Sequence, residues 1–169
     1  MRKVLIVDDE PSVRFVLGKT CERAGVPHEE AGSAEEARVK LRALGGGKEG
    51  VGLVLLDVRL PGDDGLKLLG EIGGRTDSPF VVVMTAEDTM RTAVEAMKRG
   101  AADYLGKPFD LARVERIVKD LAQTPPDGLV LDFPRDADAA QRGHQHQVAA
   151  GDADVRRKGR PLRADAFLD

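Results

Sequence analysis

Val4-Leu5-Ile6-Val7-Asp8-Asp9-Glu10-Pro11 decides the fold, because four aliphatic residues run straight into two aspartates. A strand with one face in water alternates apolar and polar residues, so this unbroken run reads as a strand buried on both faces, central in a parallel sheet. Behind Pro11, apolar or small residues return at Val13, Val16, Leu17, Thr20, Cys21 and Ala24, a helical stripe that Gly25 is placed to close. Strand and helix together make one βα unit.

The unit recurs along the chain. Val51 to Leu56 and Phe80 to Met84 repeat the aliphatic strand and end in Asp57 and Thr85. Val26 to Ala31 is a weaker strand, because Pro27 cannot donate to a ladder and only an edge tolerates it. Ser33 with Glu36 forms a capping box, and Ala34, Ala37, Leu41 and Leu44 then share a face before Gly45-Gly46-Gly47. Pro61 to Gly65 reads as a turn, followed by a short helix with Leu66, Leu68, Leu69 and Ile72, closed by Gly73-Gly74. After Asp88, Met90, Ala93, Val94 and Met97 keep helical spacing up to Gly100. Ala102 to Leu105 supplies a fifth strand ending near Lys107-Pro108, and Asp110 caps a last helix with Leu111, Val114, Ile117, Val118 and Leu121 inward. Five such repeats predict a doubly wound parallel α/β sheet with helices on both faces.

Composition narrows the function classes. At 169 residues, 41% hydrophobic and 33% charged, the chain suits one soluble domain of ordinary size with some surplus. A net charge of −3 gives no global reason to bind nucleic acid or an anionic membrane. The single cysteine, Cys21, excludes an intrachain disulfide, a four-cysteine metal cluster and a paired-cysteine redox motif, and it sits on the apolar side of the first helix. No run approaches the roughly 18 apolar residues of a membrane span, and the start meets acid too early for a secretory signal, so a cytoplasmic location is the default. From Thr124 the pattern changes: Pro125-Pro126 breaks the helix and Leu129-Val130-Leu131 is the one compact aliphatic run. The expected organisation is a folded domain over 1–123 and a tail over 124–169, flexible or partly docked through Leu129 to Phe133.

Chemistry in open α/β sheets gathers outside the carboxyl ends of the strands. The polar residues there are Asp8, Asp9, Asp57, Thr85 and Lys107. Three carboxylates meeting at one rim repel unless a cation sits among them, and oxygen ligands without histidine or thiolate favour a hard ion such as Mg²⁺. With that ion present, one carboxylate can attack a phosphoryl group; Asp57, ending a central strand before a Gly-rich turn, is best placed. Lys107 then offers a point charge and Thr85 a hydroxyl to phosphoryl oxygens. Taken singly, Asp9 or Thr85 reads as a helix cap and Lys107 as a solvated loop lysine. Their joint placement at strand ends is what argues for a site.

These stretches, together with Leu55 to Gly65, Val83-Met84-Thr85-Ala86 and Ala101-Ala102-Asp103-Tyr104-Leu105-Gly106-Lys107-Pro108-Phe109, make the chain resemble the receiver domain of two-component response regulators from Met1 to about Gln123. The resemblance implies a flavodoxin-like sheet of strand order 2-1-3-4-5. It implies that Asp57 takes a phosphoryl group from a histidine kinase or phosphotransfer protein and later sheds it, rather than turning over as a conventional enzyme. It implies that Asp9, Asp57 and the Arg59 carbonyl ligate Mg²⁺, with Asp8 holding it through water. Thr85 and Tyr104 would be the switch pair, and Lys107, aimed inward by a cis bond to Pro108, the cation beside the phosphoryl group. Arg59 and Glu87 would tune its loss to water. The output surface would be the fourth helix, fifth strand and fifth helix, Asp88 through Ala122, meeting a downstream protein or a second copy in a homodimer. The wording is similar to receivers of enhancer-binding activators, whose ATPase and helix-turn-helix parts have no counterpart here, nor is there a Gly-rich ATP loop.

Two other classes compete. A phosphohydrolase of related fold would use Asp57 as a catalytic nucleophile, but such enzymes need a second acid, and Asp57-Val58-Arg59 offers none two residues on. A pseudo-receiver scaffold would not need the full set of carboxylates, Thr and Lys. His144 and His146 lie one residue apart, so they share no helical face for a metal. His28 lacks the long amphipathic helix of a phosphotransfer histidine. The bases from Arg156 to Arg163 are flanked by acids, which argues against a DNA role.

Overall fold

Buried strands need neighbours on both edges, and the aliphatic runs find them in one another. The computed structural model describes residues 1–45, 49–73, 78–86 and 90–123. Strand β1 (Lys3–Val7) lies between β2 (His28–Ala31) and β3 (Val51–Asp57), all parallel. A two-residue antiparallel ribbon, β4 (Arg59–Leu60) with β5 (Asp63–Asp64), occupies the segment expected as a turn. Beyond it, β6 (Phe80–Thr85) pairs with β3 and β7 (Asp103–Gly106) pairs with β6, again parallel. The main sheet therefore runs β2-β1-β3-β6-β7, which is order 2-1-3-4-5 when only its own strands are counted.

Alternation explains the two cores. Leu5 and Val7, Val54 and Leu56, and Val81 and Val83 pack with Ala34 and Ala37 of α2 (Ala34–Leu44), Leu68, Leu69 and Ile72 of α3 (Gly65–Ile72), and Ala96 of α4 (Met90–Lys98). The intervening Val4, Ile6, Leu53, Leu55, Val82 and Met84 are buried on the other face. There α1 (Pro11–Ala24) brings Leu17 and Cys21, and α5 (Leu111–Gln123) brings Val114 and Val118. Among the described residues strand β2 pairs only with β1; Pro27 stays outside it, its carbonyl accepting the Val4 N–H at 3.0 Å. Charge guards this edge, with Lys3 at 3.8 Å and Lys40 at 3.7 Å from Glu29.

The caps follow the residue chemistry. Gly25 ends α1 in the left-handed region at φ 72°. Ser33 Oγ accepts the Glu36 N–H at 3.1 Å, and Glu36 reaches back to accept the Gly32 N–H at 2.9 Å. Asp110 accepts the Ala112 N–H at 3.0 Å at the start of α5.

Three helical stripes differ from expectation at their borders. Val16 is 41% exposed, because the buried face of α1 is Leu17, Gly18, Thr20 and Cys21, leaving Val16 at its margin. Val94 is 44% exposed, because α4 lies on the sheet through the small residues Ala93 and Ala96, and alanine carries little apolar signal. Leu111 is 39% exposed at the first position of α5, where the helix end leaves one side open. The expectations placed on Gly46-Gly47, Gly74, Glu87, Asp88 and everything from residue 124 onward fall outside the described residues, as do the side chains of Met90, Leu121 and Ala122. The described residues belong to one compact unit, Met1–Leu129. Among them no helix is long and apolar enough to cross a membrane.

Candidate functional site

Parallel pairing aligns strand ends, and here it aligns polar ones. Val7 pairs with Leu56, Asp57 with Met84, and Thr85 with Gly106, so Asp8, Asp57, Thr85 and Lys107 arrive at the same rim. Carboxylate oxygens of Asp8, Asp9 and Asp57 all lie within 4.8 Å of one another. Asp8 and Asp57 are buried and Asp9 is exposed, so the cluster opens to solvent through Asp9.

Each buried carboxylate is held the same way. One oxygen of Asp8 accepts the Glu10 N–H at 2.9 Å, and one of Asp57 accepts the Arg59 N–H at 3.0 Å. The other oxygen of each faces Lys107 Nζ, at 2.7 Å for Asp8 and 3.2 Å for Asp57. Burial pushes the Asp57 carboxyl above its ordinary value; the Asp8 charge adds to the rise, while the Arg59 amide and Lys107 oppose it. Burial pulls Lys107 down, but the Asp8 hydrogen bond and the two carboxylate charges outweigh it and hold the amine above its usual range. The donor set is all oxygen, carries excess negative charge and has an open side, which suits a hard divalent cation.

Backbone details position these groups. The Lys107-Pro108 bond is cis, as the resemblance implies, and the Lys107 N–H donates to the Thr85 carbonyl at 2.7 Å. Thr85 is buried at the end of β6. Arg59 lies exposed on the ribbon, in contact with Asp57 through its amide. Tyr104 sits half-buried on β7 opposite Val83, its N–H donating to Asp103 Oδ1 at 2.8 Å, and Asp103 is paired with Arg113 at 2.9 Å.

Two residues beside the site were not singled out from the sequence. A Cβ at Gly65 would stand 2.2 Å from the Asp57 carbonyl oxygen and 2.8 Å from that of Val58, so only glycine fits against the strand end. Arg14 donates to the Asp8 carbonyl at 2.7 Å and to Glu30 at 3.2 Å. A cation near the start of a helix runs against the helix dipole, and that mismatch was the available signal of a local acceptor.

A doubly wound α/β protein with acids and a lysine gathered at its strand ends is the class that fold and site define. The chain belongs to the receiver domain family of two-component response regulators: the family model described as "Response regulator receiver domain" matches residues 4–119. It is 39% identical over 117 residues to the response regulator protein PilR of Pseudomonas aeruginosa, covering 69% of this chain and 25% of PilR. It is 40% identical over 119 residues to the DNA-binding transcriptional regulator NtrC of Escherichia coli, covering 68% of this chain and 24% of NtrC. The transcriptional regulatory protein FixJ of Azorhizobium caulinodans is 39% identical over 119 residues, with 69% of this chain and 53% of FixJ covered. The matches thus span between a quarter and a half of these relatives' length. Among solved structures, the receiver domain of NtrX from Brucella abortus superposes with a TM-score of 0.63 at 31% identity, over 72% of this chain and 99% of that one.

Proposed function

We propose that Asp57 is the phosphoryl acceptor of this receiver and that its modification resets a protein-binding surface. The observation that carries this reading is the convergence of Asp8, Asp9 and Asp57 with Lys107 at one rim of a receiver-family sheet. An Asp57 carboxylate oxygen attacks phosphorus, the O–P bond forms as the P–N bond of a phosphohistidine breaks, and the freed imidazole nitrogen takes a proton from solvent. Lys107 Nζ, already on Asp57 Oδ2, lies where it can follow the charge onto a phosphoryl oxygen, and the Thr85 hydroxyl donates to another. Asp8, Asp9, Asp57 and the Arg59 carbonyl are the groups that would hold Mg²⁺. When bound, the ion supplies charge neutralisation between the carboxylates and the incoming phosphoryl oxygens.

The modification replaces the single carboxylate charge with a phosphoryl group carrying about −1.5 to −2, a net gain of about −0.5 to −1 with three strong acceptor oxygens, in a site already crowded with acids. Such a change signals only by biasing a second packing, and the segment from α4 through β7 to α5, with Thr85 and Tyr104 as the switch pair, is the surface assigned to it. The partners on this reading are a sensor histidine kinase or phosphotransfer protein upstream and a protein downstream, with a homodimer through the same surface as one form of output. The receiver occupies 1–123 and acts in the cytoplasm. Incubation with Mg²⁺ and a small acyl phosphate is expected to add one phosphoryl group, read by intact mass, and Asp57→Asn to abolish it. Labelling that needs no Mg²⁺, or that persists in Asp57→Asn, would sink the assignment.

A further inference from the structure

We infer that Arg14 is a positioning residue for the acid cluster: it fixes the peptide between Asp8 and Asp9 and so sets how well that pair ligates a divalent cation. The inference rests on the receiver reading above. Asp8 and Asp9 follow the last residue of β1 and precede α1, so their backbone lies beyond the regular ladder. On one side the Asp8 N–H donates to the Ala31 carbonyl at 3.1 Å. On the other, the Asp8 carbonyl accepts from Arg14 at 2.7 Å. That carbonyl belongs to the same planar peptide as the Asp9 amide, so holding it sets the direction from which the Asp9 side chain departs.

The clamp is itself anchored. Arg14 Nε donates to Glu30 Oε2 at 3.2 Å, and the guanidinium is largely sheltered, its side chain only 19% exposed. Glu30 is registered against Ile6 by the β1–β2 pairing, and Lys40 donates to its carbonyl. A rigid planar fork can serve a carbonyl and a carboxylate at once; a lysine ammonium on a flexible stem cannot hold the same plane. Arg14 also brings positive charge close to the acids while its donors go to a carbonyl and to Glu30. The Asp8 carboxylate meanwhile is engaged by the Glu10 amide and Lys107.

A merely structural ion pair would lower stability and leave cation affinity alone, which separates the two roles. Mg²⁺ affinity is measured by calorimetric titration for wild type, Arg14→Ala, Arg14→Lys, Glu30→Gln and the double variant Arg14→Ala/Glu30→Gln, each with a thermal melt in chelator. Arg14→Ala is expected to weaken Mg²⁺ binding on the order of tenfold, as loss of an outer-shell partner does. Arg14→Lys should recover only part of that, and Glu30→Gln should lose less than Arg14→Ala. The double variant should bind no more weakly than Arg14→Ala, since Glu30 acts through Arg14. Affinities within twofold of wild type in Arg14→Ala and Arg14→Lys, whatever their melting temperatures, would overturn the inference. Should Arg14→Ala fail to fold, Arg14→Lys and Glu30→Gln decide it by the same criterion. A wild-type protein that binds no Mg²⁺ would overturn the receiver-site reading, and this inference with it.

Discussion

Asp57 is a carboxylate whose surroundings make ionisation unfavourable. Its pKa is raised, by burial first and by Asp8 besides, so the folded state holds the Asp57 proton more tightly than the unfolded chain does. The contribution of this group is therefore most favourable below its ordinary 3.8 and is lost as pH rises through the raised folded value. At neutral pH its charge works against the metal-free fold. Asp57→Asn is expected to raise the melting temperature in chelator by on the order of a few °C at pH 7, a gap that narrows on acidification. A variant less stable than wild type in chelator would contradict the electrostatic account. Cys21 makes a second case at the opposite end of the pH scale. Buried and free in α1, its thiol is pushed up from 9.0 to about 11, by desolvation first and by Glu22 second. The unfolded chain ionises it earlier, so stability falls as pH rises from about 9 to about 11, by up to about 3 kcal/mol. Denaturant melts across that range should show the slope in wild type and lose that part of it in Cys21→Ala. Lys107, also raised, starts to lose its own contribution as pH passes its ordinary 10.5, inside this range and in both proteins, which is why the difference between the two is the quantity to measure.

Elements place these groups, and α3 does so at close quarters. Its first residue, Gly65, touches the backbone of Asp57 and Val58, and its N–H donates to the Val58 carbonyl at 3.0 Å. Because the atoms a Cβ would strike are backbone, they cannot swing aside as a side chain would. Gly65→Ala is expected to cost roughly 3 kcal/mol by denaturant melt and to slow acyl-phosphate labelling of Asp57, since the strand end must move. Much of this layer was legible in the residue pattern. Strands β1, β3 and β6 announced themselves because burial on both faces demands unbroken aliphatic runs, and α2 did so through Ser33 and Glu36. The β4–β5 ribbon did not, because two-residue strands are too short to show a period. The face of α1 was misjudged at Val16, which stands 41% exposed at its border; Phe15, outside the expected stripe, is exposed with Lys19 Nζ 5.7 Å from its ring centre. The gathering of Asp8, Asp9, Asp57 and Lys107 was legible because doubly wound sheets bring strand ends together. Arg14 left only its mismatch with the helix dipole as a signal, because its acceptors are a backbone carbonyl and a glutamate 16 residues away.

At the scale of the whole molecule, the strands of the sheet deliver buried negative charge to one rim, and the Lys107 amine answers it. Lys107, 99 residues from Asp8 and 50 from Asp57 along the chain, bonds both and joins the far end of the fold to its centre. Replacing it with alanine removes the amine that bonds both buried carboxylates. Breaking a buried ion pair from one side costs about 3–5 kcal/mol, and Lys107→Ala is expected to lose that much in chelator. Mg²⁺ answers the same charge from the solvent side, so it should stabilise Lys107→Ala more than wild type. A ligand present at a hundred times its Kd contributes about 2.7 kcal/mol, enough to restore much of the loss. Denaturant melts of both proteins with and without Mg²⁺ close the cycle. Equal Mg²⁺ stabilisation in the two would mean that amine and cation do not share one electrostatic task. If they do share it, a phosphoryl group on Asp57, as proposed above, is expected to displace both at once, and Lys107, rooted in the loop after β7, links that displacement to the strand it follows.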